Sequence, residues 1–301
     1  MKMALIIDSV TKRFGSFTAV NNVSFNIPEK EIFGFLGANG AGKTTTFRMI
    51  LGLIDVTEGS ITWNGKQLGY EASSMIGYLP EERGLYPKLK VKDQIVYLAR
   101  LRGMKKADTL RELDYWLDRF NIPDYKNKRV EELSKGNQQK IQFIASIIHK
   151  PKLLIMDEPF SGLDPVNVNL LKSAVLDLKN SGTTIVFSSH RMEHVEELCE
   201  NLCIMDKGRP VVHGKLKDIK RSFGKQNLVI HADFDLGFLA EMPGVVQSRE
   251  TAEGAILQIT DDHAAKSVQE AVFRKGFVRK FEIEEPSLHD IFVEKVGASL
   301  E

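Results

Sequence analysis

EIFGFLGANGAGKTTTFRMI, residues 31–50, decides the fold. A short apolar run feeds a glycine-rich loop, and the loop opens a helix; strand, loop, helix is the grammar of an α/β protein. The loop itself, GANGAGKT at 37–44, fits G-x-x-x-x-G-K-[ST]. Gly37, Gly40 and Gly42 let the backbone curl, so that successive N–H groups, those of Asn39 and Ala41 included, face a phosphate chain. The helix that begins at Lys43, Thr44 and Thr45 adds its positive N-terminal end. Lys43 has the reach for β- and γ-phosphates, and the Thr44 hydroxyl suits Mg²⁺. The competing reading is a glycine-rich turn that binds nothing; the strand before it and the helix after it weigh against that.

LLIMDEP, residues 153–159, is a second apolar run, and it ends in two acids. A carboxylate at a strand tip, facing the loop that holds phosphates, is where Mg²⁺ needs a ligand, and Asp157 is the candidate. Glu158 then points at the attacking water as general base. An apolar run followed by Asp-Glu is a weak signal alone and a strong one beside GANGAGKT.

The rest of the chain bounds the answer. Its 301 residues suggest about two domains, and 43% hydrophobic with 27% charged residues is the balance of a globular protein. A net charge of +1 leaves no global basic footprint for nucleic acid. MKMALIIDSVTKRFG turns polar at Asp8, Ser9 and Thr11 without a small-residue cleavage site and reads as a first strand, not a signal peptide. No apolar run reaches bilayer length. Cys199 and Cys203 form no disulfide framework, which fits a reducing cytoplasm.

Asn64-Gly65 marks a hairpin between strand-like runs. From about 88 to 150 the pattern is helical, with Leu110, Leu113, Trp116, Leu117 and Phe120 on one stripe. Strands return at KLLIMDEP and TTIVFSSH, and a last pair turns at Lys207-Gly208-Arg209. The basic stretch at 219–225 is read as a linker between domains at 1–218 and 226–301. The tail reads strand, helix (DLGFLAEM), strand, strand, helix, strand, helix, which predicts a small ferredoxin-like α+β sandwich.

These motifs stand in an order that resembles the ABC ATPase family over about residues 1–215: Phe14 in TKRFG, GANGAGKT, GYLPEERGLYP, LSKGN, LLIMDEP, SGLD and FSSH. The resemblance implies a P-loop core with an antiparallel β subdomain and a helical subdomain. It implies ATP and Mg²⁺ as cofactors, with hydrolysis to ADP and phosphate. Phe14 would stack on adenine, His190 would hydrogen-bond the γ-phosphate and the water, and Asp164 of SGLD would lie at a subunit interface. LSKGN would act in trans: in such ATPases two copies sandwich two nucleotides, and Ser134 and Gly136 at a helix N-terminus address the partner's γ-phosphate.

Two departures from the family pattern matter. Lys135 and Asn137 stand where glycine and glutamine are commoner; Ser134 and Gly136 are kept, Asn137 retains an amide, and Lys135 is read as pointing to water. Glu81 replaces the usual glutamine, which touches the Mg²⁺ shell or water and senses the membrane partner; the competing reading is an exposed acid beside Glu82 and Arg83. HRMEH at 190–194 also fits the zinc pattern H-x-x-E-H, but His190 ends a strand and already has a place in the ATPase series.

The chain, with its α+β tail ending in SLHDIFVEK, looks like an exporter branch that includes sodium-efflux and antibiotic-resistance subunits. That implies a separate integral-membrane permease, a homodimer or a heterodimer with a homologue, and a place on the inner face of the membrane. No nucleic acid is expected. The rival class, a soluble ABC ATPase acting on ribosomes or DNA, usually carries a second ATPase core or long inserts. The tail's role stays open between a dimer contact, a regulatory surface and a structural cap.

Overall fold

The computed structural model describes residues 3–297 except 83 and 225. The chain divides into two compact units, Met1–Gly214 and Lys215–Glu301.

In the first unit, strands β1 (Met3–Phe14) and β2 (Phe17–Pro28) form a long hairpin. With β4 (Glu58–Trp63) and β5 (Lys66–Gln67) they make an antiparallel sheet of order β2-β1-β4-β5. Asn64 and Gly65 close the β4–β5 turn with φ of 50° and 79°, the positive values such a two-residue hairpin requires.

The main sheet contains β3 (Ile32–Gly37), β6 (Ile76–Leu79), β7 (Leu153–Met156), β8 (Thr184–Ser189), β9 (Asn201–Asp206) and β10 (Arg209–Lys215), in the order β10-β9-β3-β8-β7-β6. Strands β9, β3, β8, β7 and β6 are parallel neighbours. β3, β7 and β8 are buried along their whole length, as strands covered on both faces must be. The register sets Leu36 beside Ser189 and Met156 beside Phe187, so the chain segments after β3, β7 and β8 leave the sheet at one carboxyl edge. That edge is where open α/β sheets bind ligands. Phe25 stacks on Phe33 at 5.1 Å, and Phe35 reaches Phe47 at 5.6 Å, which packs the antiparallel sheet and the first helix into one core with the main sheet.

Helix α1 (Lys43–Ile50) follows β3; α2 (Val91–Leu101), α3 (Lys106–Arg119) and α4 (Lys135–Ile147) form the helical part; α5 (Pro165–Asn180) and α6 (Met192–Leu198) complete the core. Trp116, Phe120 and Phe143 meet at 5.8–6.2 Å and tie α3 to α4.

The second unit holds α7 (Leu216–Ser222), β11 (Gln226–Ala232), β12 (Val245–Thr251), β13 (Gly254–Ile259), α8 (Asp262–Lys275), β14 (Val278–Glu284) and α9 (Leu288–Gly297). Its sheet has the order β12-β13-β11-β14 with antiparallel pairs throughout, the ferredoxin-like arrangement. Leu228, Ile230, Leu257 and Ile259 face Val268 and Val272 of α8 in its core.

Two expectations are corrected. The stretch expected as a linker at 219–225 is mostly helical: α7 covers Leu216–Ser222, with Ile219 buried. Leu216, Ile219 and Phe223 are spaced at three and four residues, an apolar stripe that the surrounding lysines and arginine mask. Lys225, the end of that stretch, lies outside the described residues. DLGFLAEM is a 3-10 turn at Gly237–Glu241 rather than a helix. Asp235 accepts from the Gly237 N–H at 2.8 Å, and Pro243 holds Met242 extended, so too little chain remains between the two for an α-helix.

Candidate nucleotide site

A cleft of about 370 Å³ opens at the carboxyl edge of the main sheet. Its floor is the glycine loop from Asn39 to Thr45, its far wall is Asp157, Glu158 and Glu81, and its hairpin side is Phe17 and Ala19. Gly40 and Gly42 adopt φ of 81° and 101°. A Cβ at Gly42 would meet the Ala19 carbonyl oxygen at 2.7 Å, so both the backbone angle and the space demand glycine there. Gly42 caps α1 without a side chain, which leaves the first N–H groups of the helix pointing into the cleft.

Lys43 is buried, and its ammonium donates to the carbonyls of Gly37 at 2.7 Å and Ala38 at 3.1 Å. Burial lowers its pKa, and the charges of Glu158, Asp157 and Glu81 pull it back up. It is a cation held among three acids, ready to face phosphate. The Thr44 hydroxyl donates to Asp157 Oδ2 at 2.8 Å, and the Ser188 hydroxyl donates to Asp157 Oδ1. Thr44, Asp157 and the nearby Glu81 offer only oxygen, the donor set of a hard cation such as Mg²⁺. Among the described residues no group of three His, Cys, Asp or Glu gathers as a metal site; a Mg²⁺ held chiefly by one carboxylate, one hydroxyl and phosphate oxygens needs none. Of the two histidines of HRMEH, His190 pairs with Glu158 while His194 packs against the Phe160 ring.

Glu158 follows at φ 48°, an uncommon value outside glycine, with its N–H fixed by Ser188 Oγ at 3.0 Å. Its carboxylate is buried and lies 2.9 Å from His190 Nδ1, while His190 is half exposed. Burial, and then the charge of Asp157, pushes the Tyr78 phenol up to about 12, so it stays neutral beside this acidic wall. Both free thiols are buried, and burial pushes Cys203 up to about 12, which removes the cysteines from the chemistry.

Other predicted residues stand apart from the cleft lining. Ser134 N-caps α4, accepting from the Asn137 N–H at 3.4 Å, and the Asn137 amide donates to Tyr125 at 3.2 Å. A Cβ on Gly136 would come within 3.3 Å of Asn167, whose amide donates to Asp164. Asp164 caps α5, accepting from the Asn167 N–H at 3.0 Å. LSKGN and SGLD therefore adjoin each other in one chain. Phe14 lies across the β1–β2 turn from Phe17.

Sequence reasoning passed over Ser188 and Phe17. Ser188 holds both Asp157 and Glu158, and its signal was a pair of serines closing an otherwise apolar strand. Phe17 left no local signal, because its place in the cleft follows from the hairpin.

A glycine loop at a helix N-terminus, a strand-tip acid bound to its Thr and a second acid facing a histidine define a P-loop ATPase. The first unit matches the ABC transporter family over residues 20–161, and residues 214–296 match the ATP-binding protein DrrA1-3-like, C-terminal domain. The chain is 66% identical over 297 residues to the ABC transporter ATP-binding protein YhaQ of Bacillus subtilis (strain 168), across 99% of this chain and 100% of that one. It is 30% identical to the linearmycin resistance ATP-binding protein LnrL of the same organism, across 97% and 98% of the two chains. A solved ATP-binding subunit of an ABC transporter shares the fold with a TM-score of 0.69 at 31% identity, over 73% of this chain and 93% of that one. This chain belongs to the ABC transporter ATP-binding proteins and is an ATPase of that family.

Proposed function

We propose that this ATPase powers export through a separate membrane permease, hydrolysing ATP with Mg²⁺ in a site completed by a second copy. The observation that carries the catalytic half is the grouping of Lys43, Thr44, Asp157, Glu158 and Glu81 around one cleft, with His190 on Glu158. In this reading the loop of Gly37, Asn39, Gly40, Ala41, Gly42 and Thr45 binds phosphate through its N–H groups, and Lys43 neutralises β- and γ-oxygens. Thr44 and Asp157 hold Mg²⁺, which screens phosphate charge when bound. Glu158 accepts the proton of the attacking water, and His190 fixes Glu158 and the γ-phosphate. Phe14 stacks on the base. Ser134, Gly136 and Asn137 face the nucleotide of the partner copy, and Asp164 lies at the junction between copies.

Glu81 couples this site to the permease. The Gln142 amide of α4 donates to the carbonyls of Pro80 at 3.2 Å and Glu82 at 3.0 Å, on either side of Glu81. The same glutamine lines a hollow of about 230 Å³ with Tyr78, Leu85, Leu98, Leu101 and Arg102, a seat for a cytoplasmic loop of the permease. Among the described residues no helix is long and apolar enough to cross a membrane, and ABC ATP-binding subunits work with membrane permeases. We therefore place the chain on the inner face of the cell membrane. The cargo in this reading is an ion, a drug or another unknown molecule, and the likeness along nearly the whole chain to LnrL, a protein named for linearmycin resistance, supports the drug. Pull-down of the tagged protein from detergent-solubilised host membranes tests the reading: a multi-span protein should co-purify, and recovery of ribosomes or DNA-bound proteins with nothing integral would reject it.

A further inference from the structure

β14 (Val278–Glu284) stands at the edge of the second unit's sheet, and among the described residues only β11 pairs with it. Its outer row of backbone N–H and C=O groups is open to another strand. Phe281 and Ile283 stand opposite Ile230 and Leu228, so they lie on the sheet face that packs against α8. Lys280 and Glu282 stand opposite His231 and Val229, on the other face. Lys280 reaches Glu282 at 2.8 Å and Glu284 at 3.7 Å along the strand. A row of lysines would repel its own copy and keep the edge single. β14 carries both signs on one face, which does the opposite.

We propose that β14 is a docking edge for a second copy of this chain, paired antiparallel with itself about Phe281. In that register Lys280 of each copy lies opposite Glu282 of the other. Together with the Lys280–Glu282 pair inside each strand, the four charges form a square whose every side joins unlike charges. On the α8 face the two Phe281 rings meet at the two-fold axis, an aromatic cross-strand pair. Phe273 of α8 packs edge-on against Phe281 at 6.0 Å and is 55% exposed, and Ile283 is 47% exposed, so a single chain leaves apolar surface in water along this edge. The opposite edge strand, β12, has no such pattern: Arg249 and Glu250 stand opposite Ile256 and Ala255, on different faces. The contact joins the two tail sheets into one. It needs no nucleotide and does not rest on the composite ATP site. One strand pair buries less than a standard interface, so its dissociation constant is on the order of 10⁻⁵–10⁻⁴ M. More dilute chains separate, and there the ATP-dependent dimer of the composite site is read by itself.

The test is sedimentation equilibrium of the full chain without nucleotide, at low salt, for wild type, Lys280→Glu, Glu282→Lys, their equimolar mixture, and the exchange Lys280→Glu/Glu282→Lys. Each single variant sets two like-charge pairs across the axis and should weaken the homodimer at least about tenfold. The mixture should dimerise as wild type does, because a chain with two acids then faces a chain with two lysines. The exchange variant should also recover the wild-type constant. Recovery in the mixture shows in addition that both single variants are folded. A wild-type chain still monomeric at about 300 µM would overturn the proposal. So would a wild-type dimer that neither single variant weakens, or single variants that stay monomeric when mixed, since the contact would then lie elsewhere or in another register. With nucleotide left out, each of these failures leaves the composite-site reading untouched.

Discussion

Nδ1 of His190 lies 2.9 Å from Oε2 of Glu158, at the point where β8 and the loop after β7 leave the sheet side by side. The pair joins two chain segments that have little else to fix their side chains: Glu158 is held by its strained backbone and Ser188, and His190 by Glu158. Glu158→Gln keeps the shape and removes the base, so the expected result is a loss of kcat of roughly 10²–10⁴-fold with ATP still bound. His190→Ala should lose a similar factor, and the double variant little more than either, because the two groups act as one unit. Steady-state ATPase rates with parallel nucleotide-binding assays check this. Losses that multiply in the double variant would separate the two roles.

Thr44 and Asp157 share a hydrogen bond of 2.8 Å across the cleft. If both are Mg²⁺ ligands, Asp157→Asn should raise the Mg²⁺ concentration for half-maximal hydrolysis at least tenfold, and chelation by EDTA should stop turnover of the wild type. Titration of activity against Mg²⁺ reads this directly. An Asp157→Asn variant with an unshifted Mg²⁺ midpoint would remove Asp157 from the metal shell.

Much of this arrangement was legible because phosphate chemistry is written locally. GANGAGKT carries its own turn angles, helix start and cation, and DEP follows an apolar strand of ordinary length. What the sequence hid is either long-range or masked. Ser188 meets Asp157 and Glu158 only after β7 and β8 pair in register, thirty residues apart. Phe17 enters the cleft only because the β1–β2 hairpin carries it there. α7 was hidden by its charges: Lys217, Asp218, Lys220 and Arg221 dominate the composition, while Leu216, Ile219 and Phe223 make a stripe too short to stand out. The ferredoxin-like order was readable from its alternation of elements, although its first crossover is a 3-10 turn.

Ser134 and Gly136 head α4, and the Ser134 hydroxyl caps its own helix. A role in trans predicts a separation of two readouts. Ser134→Arg should abolish steady-state hydrolysis and the ATP-dependent dimer seen by analytical ultracentrifugation, while single-chain ATP affinity changes less than about threefold. Retained hydrolysis would show that LSKGN is only the polar start of a helix. Glu81→Gln should leave ATP affinity alone and alter the stimulation of hydrolysis by the co-purified permease; an unchanged stimulated rate would dismiss coupling through Glu81.

His194 is 5% exposed in α6, with both ring nitrogens buried and without a partner, and its ring packs on the edge of Phe160 at 4.8 Å. Burial lowers its pKa to about 4; Lys172 of α5 and Arg191 push in the same direction, and Glu193 and Glu197 oppose them. The folded-state value lies below the ordinary histidine value of about 6.5, so below that pH the unfolded chain takes up a proton that the folded chain refuses. Stability contributed by the neutral ring is therefore full above about pH 6.5 and is lost as the pH falls toward 4. The expected size is on the order of 1–2 kcal/mol after relaxation around the ring is allowed for. His194→Leu keeps an apolar side chain against Phe160 and should remove this acid-side loss of stability in that window. His149, whose pKa burial also lowers, leaves a common background in both proteins. Urea midpoints measured at pH 4.5, 5.5, 6.5 and 7.5 decide it: wild type should lose ground relative to His194→Leu on the acid side, and parallel curves would show that the imidazole accepts its proton in the folded state without cost.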